Sequence, residues 1–297
     1  MTERSRFIRY VHRRRYVLAG ALTLTGLLLP AVSATAETGT WVGAGAGSDA
    51  GRATRAAATR HFKGQGFDTC ETPNLATMRA WRTSSPYRAV GVYFGGRARA
   101  CKSQRNLTRD WVKQTGADGW NLLPIYVGSQ SPCVKGAKKN PYRIDAKRAG
   151  AQGASEGKDA VKAASALGMT KGSALYLDME AYDARKASCA GPTLTFIRAW
   201  DRQVRAQGYL PAFYSSADSG IAHIAKAARA GTADLPAAVW YARWGVKPTL
   251  TAEPVLRAGD WSAHRRIHQY SGAVTETHGG HKLSIDRDLI DAPVARL

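Results

Sequence analysis

Between Gly64 and Ile290 the sequence keeps switching between two periodicities, and this alternation restricts the fold more than any other feature. Short apolar runs bounded by turn-forming residues recur along it. They are GQGFDTC (64–70), AVGVYFGG (89–96), LLPIYVGSQ (122–130), ALYLDMEA (174–181), YLPAFYSS (209–216), AVWYARWG (238–245), RIHQYSG (266–272) and LSIDRDLI (283–290). Their length and their content of β-branched and aromatic residues are those of β-strands. Helical patterns separate the earlier ones, at Leu75–Trp81, Leu107–Thr115, Ala146–Leu167 and Leu194–Gln207. Pro192 falls in the first turn of the last of these and Gly208 just beyond its end, the usual asymmetry of helix termini. Strands joined by helical crossovers pair in parallel. The series therefore predicts an α/β fold, a (β/α)8 TIM-like barrel that degenerates after the sixth strand. An open doubly wound sheet is the alternative. No Gly-x-Gly-x-x-Gly turn follows the first strand, which argues against a dinucleotide-binding version.

Several runs end in acids or aromatics instead of further aliphatics. The first ends in Phe67-Asp68, the fourth carries Asp178 and Glu180, and the eighth carries Asp286 and Asp288. Side chains two apart share a strand face, so Tyr176, Asp178 and Glu180 are expected to point into one pocket. In a barrel, groups from the carboxyl ends of different strands meet at one mouth, and closure would bring Asp68 beside Asp286. Two ionised carboxylates about 6 Å apart repel by roughly 2.8 kcal/mol at an effective dielectric of about 20. That is enough to keep one protonated near neutral pH while its neighbour is charged, the division of labour glycoside hydrolysis needs. The expected roles are Glu180 as proton donor and Asp178 as its charged partner, with Asp68 and Asp286 holding sugar or tuning the pair. Solvated or salt-bridged acids are the plainer alternative, and Asp183 is expected to be turn chemistry. Tyr93, Tyr126, Tyr214 and Trp240 lie where they could stack on sugar faces or simply pack the barrel. Gln269 could bond a sugar hydroxyl or close a loop.

The chain begins with six arginines among its first fifteen residues, a mildly apolar stretch from Tyr16 to Val32, and Ala34-Thr35-Ala36. That order is an export signal. The apolar stretch is short and diluted for a span of about 20 residues. Arg13-Arg14-Arg15-Tyr16-Val17-Leu18 resembles a twin-arginine signal, with an ordinary basic-start signal as the alternative. Residues 1–36 are accordingly assigned to export, 37–60 to a Gly-, Ala-, Ser- and Thr-rich linker, and 61–297 to a single domain. The whole chain has 43 Lys and Arg against 22 Asp and Glu; setting aside the first 36 residues, with six basic and one acidic, leaves a formal +16. Such an excess favours polyanions, here a cell-wall polymer and peripheral contact with an anionic envelope. Nucleic acid is not expected, because the basic residues are scattered apart from Lys138-Lys139 and Arg265-Arg266. A secreted or envelope-associated monomer is expected. Four cysteines allow three connectivities, of which Cys70 with Cys101 and Cys133 with Cys189 is favoured. His278 and His281 in THGGHK lack a clear third ligand, so neither a metal nor a cofactor is expected.

GFDTC, ALYLDMEAYD, GYLPAFYSS, VWYARWG, HQYSG and SIDRDLID occur in the order found in the family-25 glycoside hydrolases, the peptidoglycan muramidases. The sequence resembles more closely a related set of exported bacterial glycoside-hydrolase-like domains of unknown function, which often carry twin-arginine signals. The resemblance covers about 64–292. It implies a TIM-like barrel with the Asp178/Glu180 pair at the centre of the site and Asp68 and Asp286 at its margin. It further implies Glu180 as general acid, assisted by a second carboxylate or by the substrate's own acetamido group. Residues 128–172 depart from the muramidases, being long, basic and bearing Cys133. The expected function is hydrolysis of a cell-envelope polysaccharide, with peptidoglycan as candidate. The alternative is a barrel that binds glycan or wall polymer without turning it over.

Overall fold

The computed structural model describes residues 58–297. The expected export segment and all but the last three residues of the expected linker lie outside the described residues.

The strands are β1 (His61–Asp68), β2 (Ala89–Gly95), β3 (Asn121–Tyr126), β4 (Ala174–Asp178), β5 (Leu210–Ser216), β6 (Ala238–Ala242), β7 (Arg266–His278) and β8 (His281–Pro293). They close into a barrel in chain order. Helices α1 (Leu75–Ser84), α2 (Arg109–Ala117), α3 (Ala149–Ala166), α4 (Ala187–Ala206) and α5 (Ala222–Arg229) supply the crossovers up to β6. The barrel is thus the expected α/β form, and no helix joins β6 to β7 or β7 to β8. β8 differs from the parallel strand expected, running antiparallel to both β7 and β1. The reason lies in the turn before it. Gly279 and Gly280, at φ of 54° and 78°, close a two-residue hairpin that leaves no room for a crossover. The hairpin docks on α1, where Trp81 Nε1 donates to His281 O at 2.9 Å and His278 packs edge-on against the Trp81 ring. His278 and His281 therefore serve the docking of a turn.

Strand parity divides the core in two. Val90, Val92, Tyr126, Leu175, Leu177 and Tyr241 face outward and pack with Trp81, Phe196 and Trp200 of the helices. Leu123, Ile125, Tyr176, Trp240, Ile267 and Ile290 face inward and fill the barrel. Large rings fit there because small residues lie beside them. A Cβ on Gly91 would stand 2.5 Å from Asp68 Cβ and 3.1 Å from the Trp240 ring. Tyr176, expected in the pocket, is instead part of this filling, with its hydroxyl on Pro293 O at 2.7 Å.

Both disulfides pair as favoured from the sequence. Cys70–Cys101 and Cys133–Cys189 have Cα separations of 5.7 and 5.6 Å. The second ties the segment after β3 to the first turn of α4. That helix starts at Ala187, so Pro192 lies in its second turn and not in its first as expected. Gly208 follows its end with φ of 84°, as placed.

Candidate active site

The carboxyl ends of β1, β2, β4 and β5, and the end of the stretch of β7 that pairs with β6, bring Asp68, Tyr93, Asp178, Tyr214 and Gln269 to one mouth of the barrel. β8 runs the other way, so it is the middle of this strand that delivers Asp286 and Asp288 there. Asp68 and Asp286 are register partners across the closing seam. A cleft of about 490 Å³ opens above them, lined by Asp68, Tyr93, Arg99, Lys139, Asp178, Glu180 and Asp286. A second cleft of about 420 Å³ is lined by Tyr214, Asp218, Arg243 and Trp244, and it too reaches Glu180. Glu180 is the acid common to both. A larger cavity of about 750 Å³ lies at the amino-terminal end of the barrel beside Arg60 and Leu297, away from the acid cluster.

Asp68 is buried and accepts from the Tyr93 hydroxyl at 2.6 Å and from Gln269 Nε2 at 2.7 Å. Burial, followed by the Asp286 charge, raises its pKa to about 7, with the two hydrogen bonds pulling the other way. Burial also raises Asp286, which accepts from Ala273 N at 2.6 Å. That N–H is aimed by an irregularity in β7 at which Ala273 takes φ of 54°. Asp288 lies deeper, accepting from Trp240 Nε1 at 2.9 Å through Oδ1 while Oδ2 has no partner. Burial and then the Asp68 charge push it well above the usual carboxylate range.

Asp178 is buried with Oδ1 unpartnered, and burial followed by the Glu180 charge pushes its pKa well above the ordinary value. Here the electrostatics differ from the sequence expectation, which made Asp178 the charged partner: burial favours its neutral form. Glu180 lies just past the end of β4 with 43% of its side chain exposed, and Lys139 Nζ is 3.5 Å from its Oε1. Asp183 accepts from Arg185 N at 3.1 Å, the turn role expected of it.

Three expected sugar-contacting residues are placed otherwise. Tyr126 faces outward, its hydroxyl on Asp159 Oδ2 of α3 at 2.7 Å, because Ile125 takes the inward position. Trp240 is wholly buried as a floor beneath the acids. Gln269 is buried with its amide already engaged: Nε2 on Asp68, Oε1 accepting from the Tyr214 hydroxyl at 2.9 Å and Trp244 Nε1 at 3.1 Å. Tyr93 and Tyr214 do line the clefts. The aromatic face open to solvent is Trp244, 54% exposed. Its place four residues after Trp240, past the end of β6, is the sequence signal that marks it. Lys139 and Arg99 carry no signal beyond their charge. Among the described residues no group of three His, Cys, Asp or Glu side chains is arranged to hold a metal ion.

A TIM-like barrel with an acid-lined cleft at its carboxyl mouth is in keeping with a glycoside-hydrolase-like class of protein, and the family match shows that class. Residues 79–290 match the Rv2525c-like, glycoside hydrolase-like domain family, and the chain belongs to it. The fold is similar to that of an uncharacterized B. stearothermophilus protein, at 20% identity and TM-score 0.52 over 76% of this chain and 95% of that one. It is likewise similar to the Mycobacterium tuberculosis Tat-secreted protein Rv2525c in complex with L-tartrate, at 15% identity and TM-score 0.52 over 77% and 96%. A lower similarity, TM-score 0.46 at 14% identity over 78% and 94%, relates it to the catalytic domain of endolysin ply40 from bacteriophage P40 of Listeria monocytogenes. No curated protein matches the chain.

Proposed function

We propose that this protein is an exported glycoside hydrolase of cell-envelope polysaccharide, with peptidoglycan as its substrate. One observation carries the reading: Glu180 stands where the two clefts meet, and the buried carboxyl of Asp178 precedes it by two residues. A glycan laid along both clefts has its linkage over Glu180 and a sugar face against Trp244. Hydrolysis moves a proton to the glycosidic oxygen, breaks the bond from that oxygen to the anomeric carbon, and adds water there. Glu180 is the acid exposed to the cleft and delivers that proton. The proton released by the attacking water returns to the Glu180 carboxylate and restores the starting state, while Asp178 stays neutral behind it. Asp68 and Asp286 set the charge beside the bound sugar, with Tyr93 and Tyr214 contacting it. Export is supported by the twin-arginine-like pattern at Arg13–Leu18 and by the Tat-secreted relative. The protein acts as a monomer, its positive charge holding it to the anionic wall.

Incubating the protein with purified wall glycan and counting new reducing ends tests this. Release by the unaltered protein and none by Glu180→Gln is the expected result; no release by either sinks the reading. The second reading, glycan binding without turnover, is favoured by the Lys139–Glu180 pair, which ties the exposed acid to a cation. Retention on walls with no reducing ends would select it.

A further inference from the structure

β3 stops pairing with β4 at Tyr126 and Leu177, just before the two acids. Beyond that point a side chain takes the place of the missing strand. Gln130, at the start of the segment that departs from the muramidase pattern, is fully buried. Its Nε2 donates to Asp178 O at 2.9 Å and to Gly128 O at 3.1 Å, while its Oε1 accepts from Glu180 N at 2.8 Å. A residue in a parallel ladder makes the same two bonds, to the residues on either side of the one it faces. The Gln130 amide is thus a surrogate strand residue opposite Met179. On the other side Met179 N donates to Tyr214 O of β5 at 3.0 Å, so the acid-bearing stretch is held from both flanks.

Gln130 is itself anchored. Its N–H donates to Tyr142 O and its carbonyl accepts from Ile144 N, both at 2.8 Å. Further along the segment Lys135 N donates to Ala181 O at 2.8 Å, and Cys133 is bonded to Cys189. The same segment carries Lys139, whose Nζ also donates to Ala98 O at 2.9 Å. One insertion therefore grips Glu180 at its backbone and at its carboxylate.

We propose that Gln130 is a positioning residue of this site, its side-chain amide holding the Asp178–Glu180 stretch extended so that both carboxyl groups face the cleft. The proposal rests on the hydrolase reading for its effect on rate. A neutral amide suits the task because it donates and accepts at once; a methionine of similar reach does neither, and an ionised glutamate only accepts.

The test compares Gln130→Met and Gln130→Glu in the full chain, by steady-state release of reducing ends from wall glycan and by melting temperature. The expected result is a fall in kcat of about 100-fold for Gln130→Met, the cost of roughly 1 Å of misplacement. KM should change less than about twofold, because Tyr93, Tyr214 and Trp244 come from other strands. Gln130→Glu should fall between the two. A folded Gln130→Met with unaltered kcat overturns the proposal, as does an equal loss in kcat and 1/KM. A readout needing no variant is amide hydrogen exchange of the unaltered protein. The Glu180 amide should be protected like that of Leu177 inside β4, and exchange at the rate of an unstructured amide overturns the clamp. A protein that releases no reducing ends fails the hydrolase reading, while the exchange measurement still decides the clamp.

Discussion

Asp68 and Asp286 face each other across the seam where β8 closes on β1, and one amide nitrogen, Gln269 Nε2, reaches both, at 2.7 and 3.5 Å. One buried and one half-buried acid held to the same donor favour keeping one of the two protonated. Gln269→Leu removes that donor together with the acceptor for Tyr214. Orphaned buried groups cost about 1–3 kcal/mol each. The variant should therefore lose a few kcal/mol of stability in calorimetric melting at pH 7, and an unchanged melting temperature would show that the amide is not a strut.

The buried acids give the fold an acid-side preference. Asp288 is raised well above its unfolded value and Asp68 to about 7. In the window between the unfolded and folded values the folded chain keeps protons that the unfolded chain has lost. Stability is therefore complete below about pH 4 and declines as the pH rises through the folded values. Melting temperature should be higher at pH 5 than at pH 8. Asp288→Asn keeps an acceptor for Trp240 and removes the titration, so it should narrow that difference; an unchanged difference would mean that Asp288 does not contribute to it.

Two tryptophans four residues apart should separate stability from binding. Trp240→Ala empties the barrel floor and should cost about 3–5 kcal/mol in denaturant unfolding. Trp244→Ala removes an exposed ring and should leave unfolding nearly unchanged while weakening glycan binding by calorimetry roughly tenfold, in keeping with the loss of one stacked face. The reverse pattern would restore Trp240 as the sugar platform.

Cys133→Ser opens a loop whose two cysteines are 56 positions apart in the sequence. Loop-closure entropy puts the stability loss at about 4 kcal/mol or less. Glycan cleavage should suffer beyond that, since Gln130 and Lys139 lie on the loosened segment. A variant that is less stable but cleaves at the unaltered rate would separate the disulfide from the site.

The barrel-forming part of all eight strands is legible in the sequence because each contains a short run ended by turn residues. The hairpin extension of β7 and β8 to thirteen residues each is not. Nor is the direction of β8, since parallel and antiparallel strands can share a composition; the clue was the Gly279-Gly280 turn, which reads equally well as a loop. Parity explains the misplaced aromatics. Tyr126 and Ile125 are adjacent, and only the registration of β3 against its neighbours turns the isoleucine inward. The Asp178–Glu180 pair could be found from its spacing, but its electrostatics depend on depth. β4 ends at Asp178, so one acid is enclosed and the other meets solvent. Gln130 is invisible in sequence because its partners are backbone atoms 48 and 50 residues away.

The most direct test of the central claim is cleavage of wall glycan in ¹⁸O-labelled water, with the new reducing ends analysed by mass spectrometry. Hydrolysis at Glu180 requires one heavy oxygen at the anomeric carbon of each new end, and no product from Glu180→Gln. New ends lacking the label, or equal labelled product from Glu180→Gln, would contradict the account.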